Sequence, residues 1–184
     1  MLPTLRIAGT GPVALACALF LVRRGVPPSR IILDAVGDAA AQAELPPTLA
    51  RRALAISHGT RQLLERIAPM PAAGVIEEVD VSMPGRLGRT RIRASDLRVP
   101  ALGYVIRYPA LVRSLREAAA RASWLPPNSP APDAVIHAEG DAGENARIRE
   151  FGQWALLTEV QVRAGSHVAY ERFTDSGPLA LLPL

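Results

Sequence analysis

Gly9-Thr10-Gly11-Pro12-Val13-Ala14 spells G-x-G-x-x-A between an apolar run and an apolar helix pattern. Such a turn can hold a pyrophosphate. The first glycine permits the tight strand-to-helix bend. The second leaves no side chain between backbone and ligand, and the small Ala14 lets helix and strand pack closely. Pro12 suits the first helical turn, where its missing N–H would have no partner anyway. The remaining free amides and the helix dipole favour a negatively charged group. Asp34 closes a second apolar run twenty residues after Ala14. A carboxylate there suits the hydroxyls of an adenosine ribose, and an acid disfavours a 2′-phosphate. FAD or NAD is therefore expected in preference to NADP. The alternative is an ordinary α/β turn with a solvent-facing Asp.

The elements that must position these residues follow from periodicity. Leu5–Gly9 reads as a buried strand and Gly11–Arg24 as a helix stopped by Gly25, with Pro27 and Pro28 beyond. Arg30–Ala35 reads as a second buried strand, and 36–50 as loop. Apolar spacing predicts a helix over Leu54–Ile67. Ile76–Ser82 alternates as a strand, turned by Pro84-Gly85 into a hairpin partner at Arg89–Ala94. Tyr108–Ala122 is predicted as an amphipathic helix. "WLPPNSPAP", residues 124–132, reads as a Pro-rich linker, followed by a short apolar run at Ala134–His137. Trp154–Val162 and His167–Phe173 are expected as two antiparallel strands, with a third element from Leu179 to Leu184.

Composition narrows the function classes. Hydrophobic residues make up 49% of the 184, enough for a packed core. All 21 basic residues are Arg and the net charge is only +4. The Arg residues are scattered, and no aromatic residues interleave with them, which argues against nucleic-acid binding. The one cysteine, Cys17, allows no internal disulfide, in keeping with a reducing cytosol. The N-terminal apolar run lacks a basic leader, and Pro12–Val22 is about half the ~20 residues of a membrane span. His58, His137 and His167 are too separated to suggest a metal site. Glu171 and Arg172 read as solvated strand charges.

Several stretches extend the glycine turn into a family resemblance. "GTGPVALACALFL" resembles the first FAD fingerprint of the flavin-dependent hydroxylases of ubiquinone biosynthesis, within the para-hydroxybenzoate-hydroxylase-like monooxygenases. "RALAISHGTRQLL" resembles their R-A-x-A-L-S segment. "VDVSMPGRLGRTRI" and "ALGYVIRYPALVRSL" resemble the sheet and helix that follow. "GQWALLTEV" and "AYERFTDSGPLALLPL" resemble strands of the substrate domain. The order is the family's, and in detail the chain is most similar to the 2-polyprenyl-6-methoxyphenol hydroxylase branch.

The resemblance implies an α/β fold: a Rossmann-like FAD-binding domain with part of an inserted antiparallel substrate-domain sheet, truncated. Residues 1–123 would be the FAD-binding region with an intervening hairpin. Residues 124–150 would be a linker with a shortened middle motif, and 151–184 a partial substrate sheet. The implied reaction is insertion of one oxygen atom from O₂ into a polyprenylated phenol, with FAD as cofactor and NAD(P)H as co-substrate. Gly9, Thr10, Gly11, Pro12 and Ala14 match the pyrophosphate turn, and Asp34 matches the ribose acid. Arg52 matches the Arg that reaches the flavin's phosphate or ribityl side, with Arg51 as competitor. Arg107 and Arg113 border the helix nearest the cofactor in relatives and carry no assigned role. No catalytic residue is assigned, and no metal is expected. A cytoplasmic protein is implied, with peripheral contact at a bacterial inner membrane and membership of a homo-oligomer or ubiquinone-pathway complex.

Three departures stand out. The family's Asp-Gly middle motif corresponds here to Glu139-Gly140; Asp141 reads as a solvated loop acid in preference to a substitute carboxylate. The later Gly-Asp-Ala FAD motif has no counterpart. The chain also stops within "LALLPL", which reads as an incomplete sequence. The alternative is therefore a non-catalytic or degenerate nucleotide-binding module, or half of a split assembly. A third reading, an NAD-dependent dehydrogenase, gives no reason for "ERFTDSGPLALLPL".

Overall fold

A computed structural model describes residues 3–36, 45–85, 88–140, 146–163 and 166–184. The described residues form a mixed α/β structure with three sheets, one parallel, one antiparallel and one of both kinds. Apolar residues flanking the glycine turn form β1 (Leu5–Ala8) and α1 (Pro12–Arg23), and the chain returns as β2 (Ile31–Leu33). β1 lies between β2 and β8 (Ala134–His137), parallel to both. Gly25, at φ +94°, lets the chain leave α1 in a conformation that side-chain-bearing residues rarely adopt.

The core explains why α1 lies where it does. Ala14, Leu15 and Ala18 form its buried stripe. They pack with Ile7, Ile31 and Leu33 of the sheet, and with Leu111, Val112, Leu115 and Ala119 of α4 (Tyr108–Ala119). The small Ala14 and Ala18, one turn apart, keep α1 close to what it covers. Trp124 closes this core at the end of α4, where its Nε1–H donates to the Ala119 carbonyl at 2.8 Å. Leu125 N–H then donates to Ile31 O at 3.0 Å, so the Pro-rich stretch begins by running along the β2 edge.

Residues 54–67 differ from the expected single helix. Ala53–Ser57 is β3, and only His58–Leu64 is helical, as α3. Ser57 makes the break: its Oγ accepts from Thr60 N–H at 3.1 Å and caps α3. β3 pairs antiparallel with β7 (Gly103–Arg107), which also pairs with β4 (Gly74–Ile76). Residues 36–50 are not all loop, because Pro47–Ala50 forms a single turn, α2. Residues 37–44 lie outside the described segments.

The predicted strand 76–82 is two strands. β4 ends at Ile76 and β5 runs Glu78–Ser82, so Glu77 alone carries the chain from one sheet to the next. Glu77 N–H donates to His167 O at 2.8 Å, and Ala94 N–H donates to Glu77 O at 2.8 Å. β5 pairs with β6 (Arg89–Arg93) as the expected hairpin. It also pairs, in parallel, with β9 (Val168–Thr174), which forms a second hairpin with β10 (Gly177–Leu181). The antiparallel partner of β9 is therefore β10, not residues 154–162. That stretch adopts no regular structure, and Trp154 and Leu156 are almost wholly exposed.

Among the described residues, no helix is long and apolar enough to cross a membrane. Asp80, on β5, is the one buried charged residue among them. Arg89 Nε donates to its carboxylate at 2.5 Å and Arg91 Nε at 3.1 Å. The Arg89 hydrogen bond above all, reinforced by Arg91 and opposed by burial, holds the Asp80 carboxyl below its usual range. A lowered folded-state value means that the stabilisation is present above the unfolded carboxylate value of about 4 and is lost as pH falls through the lower folded value. Urea midpoints measured from pH 7 down to pH 2 should fall in the acid range for the native chain. Asp80→Asn should start lower at neutral pH and show a shallower acid decline.

Candidate nucleotide site

The glycine turn joins the carboxyl end of β1 to α1. Because β1 is central, the chain winds to β2 on one side and reaches β8 on the other. In open parallel sheets the crevice outside the carboxyl ends at such a reversal is where ligands bind. Gly9, Thr10, Gly11, Pro12 and Ala14 lie at or beside that end of β1, Asp34 follows β2, and Arg52 connects to the turn only through a backbone contact with Tyr108.

Gly9 is buried, with φ +129°. A Cβ on it would lie 2.6 Å from the Ala138 carbonyl carbon and 3.0 Å from Glu139 N. The end of β8 thus presses backbone against backbone on the turn, and no side chain fits. Ala138 N–H donates to Ala8 O at 2.8 Å, which fixes that approach. The Glu139-Gly140 pair of the middle motif is brought beside Gly9 by the same contact. The Glu139 carboxylate lies 3.1 Å from His137 Nδ1 and accepts from it in the tautomer that carries the proton there. Asp141 lies outside the described residues.

Gly11 is different. Its backbone is extended (φ −86°, ψ −179°), a conformation open to any residue. A Cβ there would stand 3.4 Å from the Tyr108 hydroxyl, a contact that can be accommodated. Nothing in the fold compels a glycine at this position as the Ala138 backbone compels Gly9. Pro12 occupies the first helical turn, and no side chain caps the α1 N-terminus. Leu15 N–H is the first to close a helical bond, to Gly11 O at 3.2 Å. The Val13 and Ala14 amides are left as candidate anion donors. Thr10 is exposed beside them, and Ala14 is fully buried.

Asp34 lies one residue beyond β2, and its N–H still donates to Ile7 O, at 3.3 Å. Its carboxylate faces Arg6 of β1. Arg6 Nε approaches Oδ1 at 3.2 Å, and Nη2 donates to Oδ2 at 3.1 Å. The sequence reading took no account of Arg6. The available signal was register: Arg6 pairs with Ile32, so it shares a sheet face with Asp34, two residues on.

Arg52 is exposed at the start of β3. Its carbonyl accepts from Tyr108 N–H at 2.8 Å. Tyr108 in turn opens α4 and sets its hydroxyl against Gly11. One residue therefore links the Arg52 backbone to the glycine turn, and the sequence reading had not singled it out. Its place just before Pro109, at a helix start, was the only cue. Arg107 is engaged elsewhere, in a two-pronged pair with Glu159 at 2.6 and 3.1 Å. That Arg107 contact, aided by Arg51, lowers the Glu159 carboxyl against the effect of burial. Cys17 lies within α1, partly buried, and burial raises its thiol, leaving it unsuited to nucleophilic work.

No protein-family model matches the chain, and no curated protein matches it. Function is therefore argued from the geometry of the turn together with the sequence resemblance.

The contrast between the two glycines is testable. Gly9→Ala should destabilise the protein by about 2–4 kcal/mol, from positive-φ strain together with collision with the Ala138 backbone. Gly11→Ala should unfold in denaturant within about 0.5 kcal/mol of the native chain, as a substitution that meets no fixed obstacle. Urea titrations of both variants measure the difference.

Proposed function

We propose that this chain binds FAD through the crevice at the β1–α1 turn and belongs to an aromatic-ring hydroxylase of the ubiquinone-biosynthesis kind. In this reading a polyprenylated phenol is the substrate, and NAD(P)H and O₂ are co-substrates. The supporting observation is the position of the uncapped α1 N-terminus. It opens on the carboxyl end of the central strand of a parallel sheet, between a turn with glycines at 9 and 11 and an acid one residue beyond β2.

The residues present fit the adenosine diphosphate half of the cofactor. Gly11 lies at the mouth of the turn, and only the Tyr108 hydroxyl comes within 4 Å of where its Cβ would be. The Val13 and Ala14 amides and the positive end of α1 would meet the pyrophosphate. Asp34 would accept from ribose hydroxyls. Arg52, whose carbonyl is tied to Tyr108, would offer its guanidinium to a phosphate oxygen in this reading. When bound, the flavin supplies the electron transfer and oxygen chemistry, and the protein orients it and excludes water. No described residue is assigned to the substrate or to catalysis. The membrane contact, oligomer and pathway complex named in the sequence reading stay part of the same proposal.

Titration with FAD, followed by absorbance between 350 and 500 nm and by flavin fluorescence, tests the reading. Saturable binding by the native chain, weakened at least tenfold in Gly11→Ala while its urea midpoint is kept, supports it. Equal binding by both proteins, or none by the native chain, overturns it. If FAD binds, FAD-dependent oxidation of NAD(P)H stimulated by an alkylated phenol separates a hydroxylase from a non-catalytic nucleotide-binding module.

A further inference from the structure

We propose that Arg6 is a positioning residue for ribose recognition: it fixes the Asp34 carboxylate so that its outer lone pairs face the nucleotide crevice. This rests on the nucleotide reading above and deepens it. An Asp at an exposed sheet end is free to turn about its side-chain bonds and to be solvated in several orientations. Here that freedom is removed from one side. Arg6 presents its Nε and Nη2 edge, with Nε within 3.2 and 3.4 Å of the two oxygens and Nη2 at 3.1 Å from Oδ2.

The pairing follows from the sheet. Arg6 registers with Ile32, and the backbone of Asp34 is tied to Ile7 O. Both side chains therefore issue from the same face of two hydrogen-bonded strands, and the long Arg side chain reaches along β1 to the carboxylate. The planar guanidinium meets the carboxylate edge to edge, a geometry that Lys lacks. A carboxylate has about four acceptor positions, and a guanidinium edge takes those on one side. The rest stay open to ribose hydroxyls.

The pairing also cancels the bare negative charge beside a site that must admit a diphosphate. Arg6 is about half exposed and Asp34 less so, with side chains 47% and 24% accessible. The pair therefore does little for fold stability, as is usual at a surface. Its consequence is ligand selection rather than folding.

The probes are ADP and 2′-deoxy-ADP, measured by calorimetry on the whole chain. The native protein should prefer ADP by about tenfold, the scale of one hydrogen bond to a charged group. Arg6→Met should reduce that preference to about twofold or less with little change in melting temperature, and Arg6→Lys should restore only part of it. Asp34→Asn should lose the preference alone, and the double variant should lose no more than either single one, as expected for coupled residues. A full ADP preference in Arg6→Met overturns the proposal. So does a rise in ADP affinity in that variant, which would mean that Arg6 competes with the ribose. If neither probe binds the native chain while FAD also fails to bind, the nucleotide reading itself falls. Binding of both probes with no preference in the native chain overturns only the role of Arg6.

Discussion

The close passage of two main chains at Gly9 is the constraint on which the crevice depends. The end of β8 crosses the turn at a separation that excludes even a methyl group, and the Ala138–Ala8 hydrogen bond holds it there. That contact sets how far β8 extends beside β1 and where the chain must bend to enter α1. It therefore fixes where the N-terminus of α1 stands at the carboxyl end of β1. The core beneath serves the same end. Ala14, Leu15 and Ala18 let α1 settle on Ile7, Ile31 and Leu33, so the amides at its start are carried by a buried helix rather than by a loop. Sites on such elements are held more tightly than sites on mobile connections.

The two glycines of the turn serve different ends although the sequence writes them alike. Gly9 answers a demand internal to the fold. Gly11 answers none that the fold makes, apart from the neighbouring Tyr108 hydroxyl. The acid at β2 carries a similar lesson. The place of Asp34 just beyond β2 was legible from spacing alone, yet its carboxylate faces Arg6, a residue on another strand.

Much of the fold was legible where one local signal dominated. The β1–α1–β2 unit, the β5–β6 hairpin and α4 follow from apolar periodicity and from glycine or proline at their ends. The failures share a cause. Residues 54–67 looked helical because Leu63, Leu64 and Ile67 extend backwards to Leu54 at helical spacing, and the Ser57 cap that divides strand from helix was not weighed. β7 was missed because its apolar run leads directly into α4, and only pairing with β3 and β4 shows it as a strand. Trp154–Val162 has the alternation of a strand, but alternation states a preference and a strand needs a partner. Around the turn, the glycines, Pro12 and the acid could be placed from spacing, but the Arg6 and Tyr108 contacts could not, because they form only between elements distant in sequence.

The four-stranded sheet has two outer rims of unequal character. On β6 the rim carries Arg89, Arg91 and Arg93, whose charges hinder any other extended chain from adding to it. On β10 the outer strand reads Gly-Pro-Leu-Ala-Leu, with Leu179 and Leu181 well exposed and Pro178 as its sole guard. The β6 flank is thus guarded by charge that salt screens, whereas the exposed leucines of β10 make an apolar flank that salt does not weaken.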